Sequence, residues 1–270
     1  MREQSRTTRL GLRVLALGYL ALLLGIPVGL VLYRTFEHGA GAVWSSVTTP
    51  AAIHAFQLTL EIAAIAVPLN TVLGVLTALV LVRGRVRGKP VLEAIVDLPF
   101  AISPVVVGLS LVLVYGRTGW LGPWLTDHGI QIIFSLPGMV IATVFVSLPF
   151  VAREVTPVLR EIGDEQEQAA ATLGASSWQA FWRITLPAIR WGVAYGVVLT
   201  VARCIGEFGA VSVVSGKVAG ESETLTLLVE KRFGNFDLAG AYAASALLAL
   251  IALATLLLMT RLNPRKEGRP

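Results

Sequence analysis

Arg203 and Glu207 stand four positions apart inside an otherwise apolar stretch of a 270-residue chain. On a helix that spacing brings both side chains to one face. Charge inside a membrane is costly and usually faces a cavity or a partner. Two chemistries are therefore open to the pair. Arg203 can offset the charge of an anion on a pathway, or the two residues can hold helices together as a structural ion pair. Glu93 and Asp97 repeat the spacing. Carboxylates repel an anion, so a structural or gating role is expected of them. Glu61 is expected at the membrane interface.

Enzyme chemistry finds little support. The chain has no H-E-x-x-H helix and no G-x-S-x-G nucleophile elbow. Gly84, Gly88 and Lys89 look faintly like a phosphate loop. However, three residues instead of four separate the glycines, and Pro90 follows the lysine where a hydroxyl should hold magnesium. The stretch reads as a positively charged hairpin, and no ATP site or bound cofactor is expected in this chain. The single cysteine, Cys204, excludes a disulfide framework and a cysteine-built zinc site. His38, His54 and His128 fall in polar connectors, so a histidine metal site within the membrane is not expected.

The elements that must position these residues follow from composition. Hydrophobic residues make up 55% and charged residues 14%, against about 25% charged in a typical globular protein. Mean hydropathy is +0.73. Such a chain cannot cover itself with a polar surface, so lipid is its main solvent. Crossing ~30 Å of hydrocarbon takes ~20 apolar residues, and six segments qualify: 11–33, 56–82, 91–115, 131–152, 191–214 and 239–260. The predicted fold class is all-α, a polytopic bundle of six transmembrane helices. The first segment is too long for a signal-peptide core and lacks a small-x-small cleavage site.

Lysine and arginine set the expected orientation. Four lie in each of the N-terminus, the connector 83–90, the connector 153–190 and the tail, sixteen in all; the other connectors share five. The alternation predicts both termini in the cytoplasm. It also accounts for the pI of about 9.7 without nucleic acid as a partner. Gly25-x3-Gly29 and Gly192-x3-Gly196 form small-residue faces, suited to packing within the subunit or against another. Pro27, Pro68, Pro99, Pro104, Pro137 and Pro149 are expected to kink the spans.

The connector 153–190 is the richest in charge. Asp164 and Glu167 have the spacing of a capping box, as N-cap and N3 of a short helix that Gly174 ends in left-handed geometry. Ser176 or Ser177 can cap a second short helix, on which Trp178, Phe181 and Trp182 form an apolar ridge. Ile184 to Pro187 are expected to close it. The ridge suits either the bilayer surface or a docking protein.

Gln168-Ala169-Ala170, Gly174, Ile184, Leu186 and Pro187 resemble the EAA loop of permease subunits in bacterial ABC importers. The family spacing is Glu-Ala-Ala, three residues, Gly, nine residues, Ile-x-Leu-Pro, and both intervals match. The family's glutamate position holds Gln168, with Glu167 just before it. The stretch 202–216, the Thr-Leu-Thr-Leu at 224–227 and the stretch 98–108 resemble the sulfate/thiosulfate permeases of the CysW type. Molybdate permeases share the Gly-Glu-Phe-Gly-Ala core of the first stretch, which makes molybdate or tungstate the main competing substrate.

The resemblance implies a type I ABC importer permease that moves sulfate or thiosulfate across the bacterial plasma (inner) membrane. It also implies a sister permease forming a heterodimer, an extracytoplasmic sulfate-binding protein and two ATP-binding subunits that use the ATP. Contact with the ATPase falls to Glu167, Gln168, Ala169, Ala170, Gly174, Ile184, Leu186 and Pro187. Residues 1–55 are then an N-terminal segment, first membrane helix and external loop. Residues 56–262 form the importer domain, with its loop at 164–187, and 263–270 a cytoplasmic tail. A secondary transporter would show a repeat of spans in its two halves, and none is visible.

Overall fold

The computed structural model describes residues 6–37 and 39–262; the N-terminal Arg2, His38 and the tail 263–270 lie outside the described residues. In lipid every backbone polar group must be satisfied internally, so the apolar segments fold as helices. α1 (6–36) joins Arg6–Leu20 to Ile26–Phe36 through a π turn at Ala21–Gly25. α2 (Ala40–Val47) is a short helix outside the spans. α3 (Pro50–Val82) opens on Thr49, whose hydroxyl accepts the Ala52 amide at 3.3 Å. That cap starts the helix ahead of residue 56 and carries His54 out of the expected connector.

The expected third span is not one helix. α4 (Lys89–Ala101) and α5 (Pro104–Tyr115) meet at an angle of 108°. Pro104 has no amide hydrogen and forces Ser103 out of the helical region, to ψ 133°. Pro104 therefore starts a helix instead of kinking one, as does Pro137 in the first turn of α7 (Leu136–Ile162). α6 (Gly122–Asp127) precedes α7. The fourth span begins later than residue 131 because Phe134 takes a positive φ of 63° and Ser135 is extended. It continues well past Ala152, because Val155 and Leu159 remain buried on one face while Arg153 and Arg160 point outward.

α8 (Glu165–Thr172) is followed by α9 (Ser177–Ile205), which contains a π turn at Phe181–Thr185. Two expectations change here. Ile184 to Pro187 do not close a helix: the wide turn, with the Leu186 amide bonded to the Phe181 carbonyl, opens the ladder just ahead of Pro187. The fifth span also stops at Ile205 instead of Val214, and the chain resumes as the single turn α10 (Val211–Val214). α11 (Leu225–Gly234) occupies the last connector, and α12 (Leu238–Leu262) ends the described chain. Among the described residues five helices are long and apolar enough to cross a membrane, or six if the bent α4–α5 pair is one broken span instead of a re-entrant loop. Among the described residues there is no strand.

α7 lies between α3 and α9 and packs on both. The three meet at Val151, which is fully buried. A Cβ on Gly74 would stand 2.6 Å from the Val151 Cβ, and one on Gly196 would stand 2.7 Å from the Val151 Cα. Only glycine lets both neighbours approach so closely. The Gly192-x3-Gly196 face thus packs inside the subunit, whereas a Cβ on Gly25 or Gly29 would meet nothing within 4 Å. Fully buried Asn70 adds a polar tie, donating to the Ser147 hydroxyl at 2.7 Å. α1 is tied to the bundle near its end, where the Thr35 hydroxyl donates to the Tyr242 carbonyl at 3.1 Å.

Candidate functional site

Two places gather the residues singled out above. The first is the element 164–187. Asp164 is the N-cap of α8 but makes no side-chain cap bond, so the expected capping box is absent. The box forms one helix later: the Ser176 hydroxyl accepts the Gln179 amide at 3.3 Å, and the Gln179 side chain accepts the Ser176 amide at 2.9 Å. Between the two helices Gly174 has φ +84°. The Ala175 amide reaches the Ala170 carbonyl and the Gly174 amide the Ala171 carbonyl, both at 3.0 Å. This is the Schellman pattern, and it sets the angle between the helices.

Glu167 points inward instead of capping. Its carboxylate accepts from Arg83 Nε at 3.0 Å and from the Thr185 hydroxyl at 2.7 Å. Gln168 and Ala169 face solvent, while Ala170, Ile184 and Leu186 are half-buried and Pro187 is exposed. The aromatic ridge is divided. The rings of Trp178, Phe181 and Trp182 lie 5.4–6.3 Å apart, but Phe181 packs on the buried cluster of α3, α7 and α9. Trp178 is 69% exposed, Trp182 50% and Leu173 89%, so an apolar surface is left uncovered at the tip of the element. Arg83 and Thr185 were not singled out by the sequence: Arg83 counted only as one topogenic charge, and Thr185 is an unremarkable residue between two motif positions.

The second place is the break after α9. Gly206 ends the helix. Glu207, whose side chain is 1% exposed, turns back to Arg203, with Nη1 and Oε2 2.5 Å apart. Glu207 Oε1 accepts the Ala210 amide at 2.8 Å, and its backbone carbonyl accepts the Thr226 hydroxyl at 2.9 Å. The carboxylate therefore caps α10 and fixes its position against α5, where Gly108 is so close that a Cβ would lie 2.7 Å from the Val213 Cβ. Arg203 keeps about a third of its side chain exposed, at 29%. The α4 carboxylates are also paired: Asp97 receives both Arg153 Nε and Nη2 at 2.9 Å, and Glu93 receives Arg160 at 2.7 Å. Arg153 also lies over the Phe100 ring at 4.6 Å, which clamps the broken span to α7.

The profile of binding-protein-dependent transport system inner membrane components matches residues 70–268. The chain belongs to this family. The permease is 52% identical to the sulfate transport system permease protein CysW of Synechocystis sp. over 251 residues, 93% of this chain and 91% of that protein. It is 37% identical to the CysT permease of the same organism over 250 residues, 93% of this chain and 87% of that protein. A bacterial alginate ABC transporter, solved in complex with an alginate pentasaccharide-bound periplasmic protein, shares its fold. The TM-score there is 0.78 at 19% identity, covering 96% of the permease and 95% of that chain.

Proposed function

We propose that the permease is the membrane-spanning subunit through which an ATP-driven importer brings sulfate or thiosulfate into the cytoplasm. The observation that carries the reading is 52% identity with a CysW sulfate permease over 93% of this chain. A molybdate or tungstate permease is expected to share chiefly the core at 206–210. In this reading the pore is a heterodimer with a sister permease, as the weaker likeness to CysT suggests. A sulfate-binding protein delivers the anion, and both termini lie in the cytoplasm. ATP is used by two separate subunits, and this chain binds no cofactor of its own.

The exposed Leu173, Trp178 and Trp182 form the surface that enters the ATP-binding partner, positioned by the turn at Gly174. Because α9 continues from Ser177 through its π turn to Ile205, a push on this surface acts on the fifth span. The Arg203–Glu207 pair is structural, since Glu207 also caps α10. Proteoliposomes holding the permease with its sister subunit, ATPase and binding protein test the proposal. ATP-dependent uptake of labelled sulfate, inhibited by excess thiosulfate and not by molybdate, is the expected result. Uptake of molybdate in preference to sulfate, or uptake without ATP, would overturn it.

A further inference from the structure

We infer that Arg83 is a positioning residue that fastens the docking element to the second membrane helix, so that the end of α3, α8 and the start of α9 move as one body. The inference rests on the docking role proposed above and adds the route by which its motion spreads. The backbone joins α8 to α7 through Gly163 and to α9 through Gly174, but gives it no direct link to α3. Arg83, the C-cap of α3, supplies that link.

Its guanidinium reaches two other elements directly and a third through Glu167. Nη1 donates to the Leu159 carbonyl at 3.2 Å and Nη2 to the Gly163 carbonyl, both at the C-terminal end of α7. Last-turn carbonyls lack intrahelical partners and carry the negative end of the helix dipole, so a cation is favoured there. Nε and Nη2 hold the two carboxylate oxygens of Glu167 at 3.0 and 3.4 Å. Glu167 then accepts from Thr185, in the π turn of α9, whose hydroxyl is buried. A planar fork of five donors can serve carbonyls and a carboxylate together, whereas a lysine is a single point charge.

Two further observations separate this residue from a merely topogenic charge. Among the described residues of the connector 83–90, Arg83 alone forms an ion pair, and the two side chains are only 21% and 23% exposed. Arg83, Glu167 and Thr185 themselves line a cavity of about 310 Å³, together with Leu79, Ala171 and Phe181. Apolar packing between α3 and the docking element is therefore incomplete, and the polar node holds the two together.

The test uses the full complex in proteoliposomes and reads sulfate imported per ATP hydrolysed. For Arg83→Ala the ATPase subunit still copurifies, because the Trp178 surface is untouched, and the import-to-hydrolysis ratio falls about fivefold. Arg83→Lys, which keeps a cation against the α7 carbonyls and Glu167, retains part of the ratio, and Arg83→Ala with Glu167→Ala loses no more than Arg83→Ala alone. A normal ratio in Arg83→Ala, a deficit that Arg83→Lys does not relieve, or a deficit that Glu167→Ala deepens when added to Arg83→Ala, would overturn the inference. A second measurement does not depend on the transported anion. Spin labels at Leu76→Cys and Thr172→Cys, in a Cys204→Ala background, are expected to keep one separation when ATP is added. In Arg83→Ala that separation broadens or shifts. An unchanged separation in Arg83→Ala would count against Arg83 even if the solute proved not to be sulfate.

Discussion

Glu207 shows how one side chain can join functions that the sequence presents separately. Its i, i+4 partner Arg203 is visible in the residue order, but the Ala210 amide bound to its other oxygen is not. Removing Arg203 strands a carboxylate at 1% exposure, a change that typically costs ~3–5 kcal/mol. Arg203→Ala is therefore expected to lower the amount of folded permease in membranes. Arg203→Ala with Glu207→Ala should recover only part of the loss, because the cap on α10 goes with the charge. Arg203→Ala with Glu207→Gln removes the charge but keeps an oxygen for Ala210, and should recover more. Fluorescence-detected size-exclusion profiles of the three variants rank them. A well-folded Arg203→Ala protein with no sulfate uptake would instead assign Arg203 to the anion pathway.

At the scale of elements, glycines decide where helices turn and how closely they pack. A Cβ on Gly174 would meet nothing within 4 Å, so only its φ of +84° opposes a side chain. Gly174→Val should cost about 1–2 kcal/mol at the turn and weaken retention of the ATPase subunit on purification, whereas Gly174→Asn, which tolerates the left-handed region, should retain it. Equal retention in both variants would remove the turn from the docking surface. Gly196 presents the opposite problem, since its added Cβ meets the Val151 backbone at 2.7 Å. Gly196→Ala must force α7 and α9 apart, and a loss of about 1–3 kcal/mol should appear as a lower melting temperature in detergent. Gly25→Ala faces open space and should leave that temperature unchanged. A drop with Gly25→Ala and none with Gly196→Ala would reverse this packing assignment.

For the whole molecule, the sixteen-to-five distribution of basic residues predicts that the 164–187 element and the α6 loop lie on opposite sides of the membrane. In a Cys204→Ala background, cysteines replacing the exposed Thr118 and Ser176 test this. An impermeant thiol reagent should label the Thr118→Cys protein in intact cells, and the Ser176→Cys protein only after the membrane is opened. Labelling of Ser176→Cys in intact cells would invert the topology.

The sequence by itself determined the lipid solvent, the apolar helices able to cross it, the spacing of the loop motif and the left-handed turn at Gly174. Each depends on composition or on residues within a few positions of one another, where helical period and backbone sterics act directly. Tertiary structure decided what depends on distant partners. Glu167 has the spacing of a capping residue, yet Arg83, 84 positions earlier, claims its carboxylate. Phe181 belongs by period to an outward ridge, yet it packs inward on the buried cluster that holds Val75, Val155 and Ile189. The fourth span extends past Ala152 because α3 and α9 bury Val155 and Leu159 from opposite sides, while its arginines reach the carboxylates of α4. Hydropathy read along the chain cannot see a charge that is neutralised across a helix interface, since the partner that lowers its cost is adjacent only in the folded bundle.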